Sequence, residues 1–269
     1  DNSTIKGIFW LTGSQKIELM KDVSETLAGR MGVLEMHSFS YREIIKSKYL
    51  PVSFPELTEK EYLDKNTILK HILNGGMPEH VLTENKREYF FKSYVNLYLE
   101  RDIRELKQIK DLNAFYTFLV SVASRACQLL NYSSISNECG KDVKTIKSWI
   151  SVLEATGIIK LIYPLRKEEL KRITSTPKIV FMDSGICTYL CGLNTIKALE
   201  NYTNLGFLFE NYVISELIKI NDNYSLFNNF MFYRDKDGNE IDLIIKDYNN
   251  FYHPYEIKYK NNADISMIT

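Results

Sequence analysis

Apolar and polar positions follow two different periods along this chain. Residues 5–12 form a nearly continuous apolar run that ends in Thr12-Gly13-Ser14-Gln15, the pattern of a strand buried on both faces. A helix is expected over 16–29, broken at Gly29, and Val33-Leu34-Glu35-Met36 reads as a further edge strand. From 41 to 126 the spacing is helical. Tyr94, Leu97, Tyr98 and Ile103, then Phe115, Phe118, Leu119 and Val122, recur at helical intervals and read as core. Gly75-Gly76-Met77-Pro78 divides this region in two.

Over 127–182 the period changes within one short stretch. A short helix fits 134–139 and stops at Gly140; a second runs from Val143 to Thr156, ahead of Gly157. Ile146, Trp149, Ile150 and Leu153 share the apolar face of the second helix, and Lys144, Lys147, Ser148 and Ser151 the other. Two β-like runs follow, Ile158 to Leu165 and Lys178 to Met182, with the charged string 166–172 between them. Helix, turn, helix and a hairpin with a basic tip is the layout of a winged helix-turn-helix. Residues 135–172 carry eight Lys plus Arg against five Asp plus Glu. Lys144, Lys147, Lys171 and Arg172 are the candidate DNA contacts; a protein-binding module of the same layout is the alternative.

Residues 203–260 read as a helix and three strands. The helix covers 205–220, with Phe209, Val213, Leu217 and Ile220 on one face. The strands are 230–234, 240–245 and 252–260, the first two joined at Lys236-Asp237-Gly238-Asn239.

Composition narrows the class. The 269 residues are 45% hydrophobic and 25% charged, with 34 Lys plus Arg against 34 Asp plus Glu. That balance excludes a histone-like protein and an acidic disordered tail, but not a local basic face. No apolar run is long enough to span a membrane. Cys127, Cys139, Cys187 and Cys191 lack the spacing of a zinc site or a disulfide framework, so free thiols and a cytoplasmic location are expected. Asp1-Asn2-Ser3-Thr4 is no signal peptide, and the chain stops at Ile268-Thr269 inside what reads as another element. A fragment at both ends is the expectation. No G-x-x-x-x-G-K-S/T string occurs, so the chain carries no phosphate cradle of that type.

The candidate chemistry lies near the C-terminus. Asp242 stands on one strand and Glu256-Ile257-Lys258 on the next, where period two puts Glu256 and Lys258 on one face. Glu210, on the preceding helix, can pack over that face. Carboxylates suit Mg²⁺, which needs few protein ligands beside water and phosphate. A lysine among them can orient a water and stabilise developing charge in phosphodiester hydrolysis. Asp242, Glu256 and Lys258 are thus candidate catalytic residues, and Glu210, Asp242 and Glu256 candidate metal ligands. Cross-strand ion pairing on a solvated face is the alternative.

The order helix-Glu, Asp, Glu-x-Lys over 206–260 resembles the PD-(D/E)xK nuclease superfamily, especially its Holliday-junction-resolvase-like members. It departs from the pattern in having Ile241, not proline, before Asp242. Further strings extend the likeness along the chain: Leu11-Thr12-Gly13-Ser14, Leu27-Ala28-Gly29-Arg30, Gly75-Gly76-Met77-Pro78-Glu79 and Tyr98-Leu99-Glu100-Arg101-Asp102. Thr145-Ile146-Lys147-Ser148-Trp149, Pro177 through Gly185, Phe209-Glu210-Asn211 and Tyr233-Arg234-Asp235 complete the set. Together they resemble a prokaryotic family of AAA-type ATPases whose C-terminal half is a domain of unknown function, number 4143.

The resemblance implies a mixed α/β, multidomain chain. Its parts would be the end of an AAA-type core (1–50), a helical region (51–126), a winged helix (127–182) and an incomplete nuclease-like domain (183–269). It implies an ATP-binding loop upstream of this chain, with Thr12 or Ser14 as a sensor polar group and Arg30 reading the γ-phosphate. It also implies action on DNA and self-association through the ATPase core. An active Mg²⁺-dependent endonuclease and a non-catalytic docking scaffold are the two rival functions.

Overall fold

The computed structural model describes residues 32, 34–46, 64–83, 86–97, 109, 111–165, 176–235 and 239–259. In chain order the helices before the first strand are α1 (Tyr41–Ile44), α2 (Lys65–Asn74), α3 (Pro78–Thr83), α4 (Arg87–Leu97), α5 (Leu112–Ala123), α6 (Tyr132–Cys139) and α7 (Val143–Ala155). Strands β1 (Ile159–Pro164) and β2 (Lys178–Phe181) follow, then α8 (Ser184–Leu190), α9 (Ile196–Glu200) and α10 (Leu205–Asn223). The chain ends with β3 (Asn229–Arg234), β4 (Glu240–Lys246) and β5 (Tyr252–Tyr255). The fold is mixed α/β.

Helix starts follow local chemistry. Asp64, Asp111, Asn131, Asp142 and Asp183 each accept a hydrogen bond from the backbone N–H three residues on, opening α2, α5, α6, α7 and α8. Gly140 closes α6 at φ 60°, ψ 33°, a left-handed conformation that other residues enter at a cost.

The helices form one apolar core. Leu69, Ile72, Phe91, Phe115, Phe118, Ile146, Trp149, Leu153 and Ile186 are buried in it. Phe115 and Phe118 meet Trp149 edge-on at centroid distances of 5.0 and 5.2 Å. The expected aromatic stripe of α5 and the expected apolar face of α7 both point inward here.

The strands form a five-stranded sheet in the order β2-β1-β3-β4-β5. Neighbours are antiparallel except β1 and β3, which run parallel through Tyr163–Met231 and Pro164–Phe232. The hairpin β1–β2 and the meander β3–β5 therefore share one sheet, across the two segments expected as 127–182 and 183–269. A second apolar core of Ile162, Val180, Met182, Phe232, Leu243 and Ile245 lies between this sheet and Ile214 and Ile218 of α10.

Four expectations need correction. Leu97, expected in the core, is 63% exposed at the last position of α4. Residues 34–37 form no strand, and Leu34 and Met36 are 76% and 96% exposed, because no described strand pairs with them. The third C-terminal strand stops at Tyr255, so Glu256-Ile257-Lys258 lies just past the ladder. In α10 the deeply buried side is not Phe209, Val213, Leu217 and Ile220, which are half-buried. It carries Leu208, Glu210, Asn211, Ile214, Ser215, Ile218 and Lys219. Apolar periodicity could not find that face, because half of it is polar and bonded to other elements.

Candidate functional site

The C-terminal acidic cluster is assembled by α10, β4 and β2. Asn211 anchors α10 to the end of β2: its side chain accepts from Phe181 N at 2.7 Å and donates to Phe181 O at 3.0 Å. Glu210, one residue earlier, meets Lys178 at the start of β2. The Lys178 ammonium lies 2.7 Å from Glu210 Oε1 and 2.6 Å from Glu240 Oε1, above the Phe232 ring at 5.2 Å. Lys178 is 2% exposed and Glu210 5%.

Asp242 reaches the same side of the sheet through an irregularity. Pairing of β3 with β4 shifts by one residue between Met231 and Tyr233, so Asp242 and Leu243 both stand opposite Phe232. Such a bulge re-aims side chains that strict alternation would send to opposite faces. Glu240 and Asp242 can therefore share the α10 side with Leu243 and Ile245. Asp242 Oδ2 accepts from Ile257 N at 2.8 Å, which fixes the chain after β5. Lys258 Nζ then lies 3.4 Å from Asp242 Oδ2 and 2.5 Å from Glu256 Oε1.

The structure thus brings Asp242, Glu256 and Lys258 together through the segment after β5, while Glu210 is held by Lys178 instead. Lys178 and Glu240 were not among the expected site residues. The signal was a lysine opening the otherwise apolar run 178–182, but nothing in the sequence says which acids it meets.

Burial pushes the Glu210 carboxyl up to about 7, against the pull of Lys178 and with the help of the Asp242 and Glu240 charges. Lys178 is opposed by burial too, yet Glu210 and Glu240 raise it above the ordinary lysine value. Cys127 lies in the same field and is pushed up by burial, then by Glu210. The hydrogen bond to Glu256 raises Lys258. A carboxyl raised on folding binds more protons in the native state between about pH 4 and 7, so its contribution to stability falls as pH rises through that window. Glu210→Gln is expected to remove that slope, on the order of 2 kcal/mol between pH 4.5 and 7.5. Urea unfolding of both proteins across the range checks it; parallel pH profiles would refute it.

Mg²⁺ fits part of this arrangement. Glu256 Oε2 is buried and has no hydrogen-bond partner among the described residues, and Glu256 and Asp242 share Lys258. Two carboxylates, one with a spare acceptor, suit a hard cation that keeps its waters. Glu210 does not join them, and among the described residues no three potential ligands converge on a metal position.

The other expected site residues lie elsewhere. Lys144 and Lys147 are exposed on α7, Lys147 over the Tyr132 ring at 5.4 Å. Thr12, Ser14, Arg30, Lys171 and Arg172 lie outside the described residues. Cys127, Cys139, Cys187 and Cys191 are free thiols. No helix of the described residues is long and apolar enough to cross a membrane.

The turn at Gly75-Gly76 and the start of α8 at Asp183–Gly185 form a joint. Asp183 Oδ2 accepts from Gly76 N at 2.9 Å, and a Cβ on Gly185 would stand 2.5 Å from Asn74 O. Onto this joint lies the strap 37–43. Phe39 N donates to Gly76 O at 2.8 Å, Tyr41 N to Glu216 Oε2 at 2.5 Å, and Lys219 Nζ to Phe39 O at 3.2 Å. His37 Nε2 is 2.9 Å from Asp222 Oδ2. The strap is thereby fastened along α10, the helix that carries Glu210.

Comparison with known proteins divides the chain in three. Residues 1–45 match an AAA domain, residues 65–197 a domain of unknown function (DUF8612), and residues 205–268 another domain of unknown function (DUF4143). An uncharacterized protein of Mycobacterium tuberculosis is 22% identical over 269 residues, covering 99% of this chain and 55% of its own length. One from Mycobacterium bovis gives the same values. An uncharacterized protein of Methanocaldococcus jannaschii is 23% identical over 247 residues, covering 88% of this chain and 52% of its own. The chain spans about half the length of the curated relatives it matches. No solved structure matches it. The domain matches, in this order, support an AAA-type ATPase-related protein that carries a DUF4143 domain.

Proposed function

We propose that this chain is the C-terminal portion of an AAA-type ATP-binding protein that acts on DNA. In this reading α6, α7 and the hairpin β1–β2 work as a winged helix-turn-helix. The observation that carries it is the polarity of α7: Ile146, Trp149, Ile150 and Leu153 are buried while Lys144 and Lys147 face solvent. An exposed helix with lysines on its outer face suits phosphate contacts, with Lys171 and Arg172 as further contacts. Thr12, Ser14 and Arg30 are the proposed nucleotide-sensing residues. The strap 37–43, which continues the AAA-matching segment onto α10, supports control by nucleotide state. Self-association through the ATPase core belongs to the same reading.

Fluorescence anisotropy with duplex DNA tests the binding. Affinity is expected to fall linearly with salt on logarithmic axes, because lysine contacts release counterions. Lys144→Glu with Lys147→Glu is expected to weaken binding about tenfold or more and to flatten that slope. Unchanged affinity in this variant would overturn the reading.

The Glu256 oxygen, buried and without a partner among the described residues, favours a second reading, metal-dependent cleavage in a nuclease-like domain formed by α10 and β3–β5. Asp242 and Glu256 would hold Mg²⁺, which supplies Lewis-acid polarisation of a phosphate when bound. Ile257 N fixes the Asp242 carboxylate, and Lys258, kept protonated by Glu256, directs positive charge to the same place. Linear and branched DNA incubated with Mg²⁺ or Mn²⁺, with and without ATP, tests it. Cutting that disappears in Lys258→Ala supports this reading; cutting that persists there or in Asp242→Ala refutes the assignment.

A further inference from the structure

Lys178 lies at the start of the hairpin strand β2, yet its ammonium sits among carboxylates of two other elements. Its side chain is 3% exposed, so water contributes little to solvating the charge. A buried ammonium persists only with close partners, and Glu210 of α10 and Glu240 of β4 are both within 2.7 Å. The Phe232 ring closes one side. The second lysine of the region, Lys258, is different: it is half exposed and pairs with the other two acids. The cluster is therefore split into two subsets, each with its own lysine.

We propose that Lys178 is a resident cation of the acidic cluster, a positioning residue that binds Glu210 and Glu240 and so withholds both from a divalent cation held by Asp242 and Glu256. This rests on the reading of Asp242 and Glu256 as the metal pair. It makes the hairpin part of the site, since a shift of β2 carries the lysine with it. Four carboxylates around one divalent ion would be strongly anionic without Lys178. With it, the metal pair faces a neutralised neighbour.

Mn²⁺ binding to the full chain, followed by the loss of the free-ion electron paramagnetic resonance signal, tests this without any activity assay. Glu210→Gln is expected to bind Mn²⁺ within about threefold of the unaltered protein, and Asp242→Asn to bind at least tenfold more weakly. Lys178→Arg, which keeps the charge, is expected to behave like the unaltered protein. Lys178→Met is expected to bind at least about tenfold more tightly, because one nearby positive charge is gone and two carboxylates are freed. Loss of affinity in Glu210→Gln as large as in Asp242→Asn would overturn the proposal, since Glu210 would then be a ligand.

Thermal melting supplies an independent arm. Lys178→Met is expected to lower Tm sharply, and adding Glu210→Gln to recover part of that loss, because the stranded carboxylate is then removed. Additive losses would overturn the pairing. Absence of saturable Mn²⁺ binding in the unaltered protein would instead refute the metal pair, and the melting arm would then decide the role of Lys178.

Discussion

Gly75→Ala is expected to lower stability by about 3 kcal/mol or more, enough to leave much of a marginally stable chain unfolded. Two effects add at this position. Gly75 closes α2 at φ 65°, ψ −161°, a region that only glycine enters readily and that costs other residues about 1–3 kcal/mol. A Cβ would also overlap the Asp183 carboxylate and stand 2.6 Å from Gly185 N. Neither neighbour can yield: Asp183 accepts from both Gly76 N and Ile186 N, capping α8 while it holds the joint. Gly140→Ala is the comparison at positive φ without a contact, in the milder left-handed helical region. It has φ +60° and nothing within 4 Å of its Cβ position, so about 1 kcal/mol is expected. Urea unfolding of the two variants measures the difference. Equal losses would show that the contact with Asp183 and Gly185 is absent in solution. Loss of the joint would also release the strap 37–43 from Gly76, linking the AAA-matching segment to the stability of the helical core.

Arg87→Met is expected to cost about 2–4 kcal/mol, more than truncating the exposed Lys92 of the same helix would. Arg87 is 8% exposed, and its guanidinium holds two helix ends together. Nε donates to Leu73 O at 2.9 Å, in the last turn of α2, where positive charge suits the helix dipole. The two terminal nitrogens donate to Asn194 Oδ1 at 3.2 Å and Thr188 Oγ1 at 2.9 Å, with Gly185 O at 3.4 Å. Burial lowers its pKa, opposed first by Glu88 and then by Asp183, and its hydrogen-bond partners among the described residues are neutral oxygens. Methionine fills the apolar part of the space and leaves these acceptors short of donors. Arg87→Lys keeps the charge but not the planar fork and is expected to recover only part of the loss. Thermal unfolding of both variants checks this; a methionine variant as stable as the unaltered chain would show that the network contributes nothing net.

Much of this organisation is readable from one dimension. The stop of α6 was legible because Gly140 ends the turn before it, while its start at Tyr132, capped by Asn131, lies ahead of the expected 134. The buried face of α7 was legible because its apolar residues keep the helical period, and the order of the C-terminal strands because Lys236-Asp237-Gly238-Asn239 separates two β-like runs. Alternation along two adjacent strands named Asp242, Glu256 and Lys258, but their convergence rests on the bulge at Asp242 and on the Ile257 N–H bond to it, past the end of β5. Where several contacts with distant segments decide the outcome, periodicity failed. The inward side of α10 is half polar because Asn211 bonds β2, Lys219 bonds the strap and Glu210 meets Lys178. The bulge at Asp242 is set by pairing with Phe232, not by any residue of β4 itself. The union of two expected units in one sheet rests on two parallel residue pairs between β1 and β3, some seventy positions apart. Local chemistry on this chain determined where elements begin, end and turn. Only the tertiary structure decided which acid received which lysine, because a buried charge is assigned by the nearest compensating partner in space.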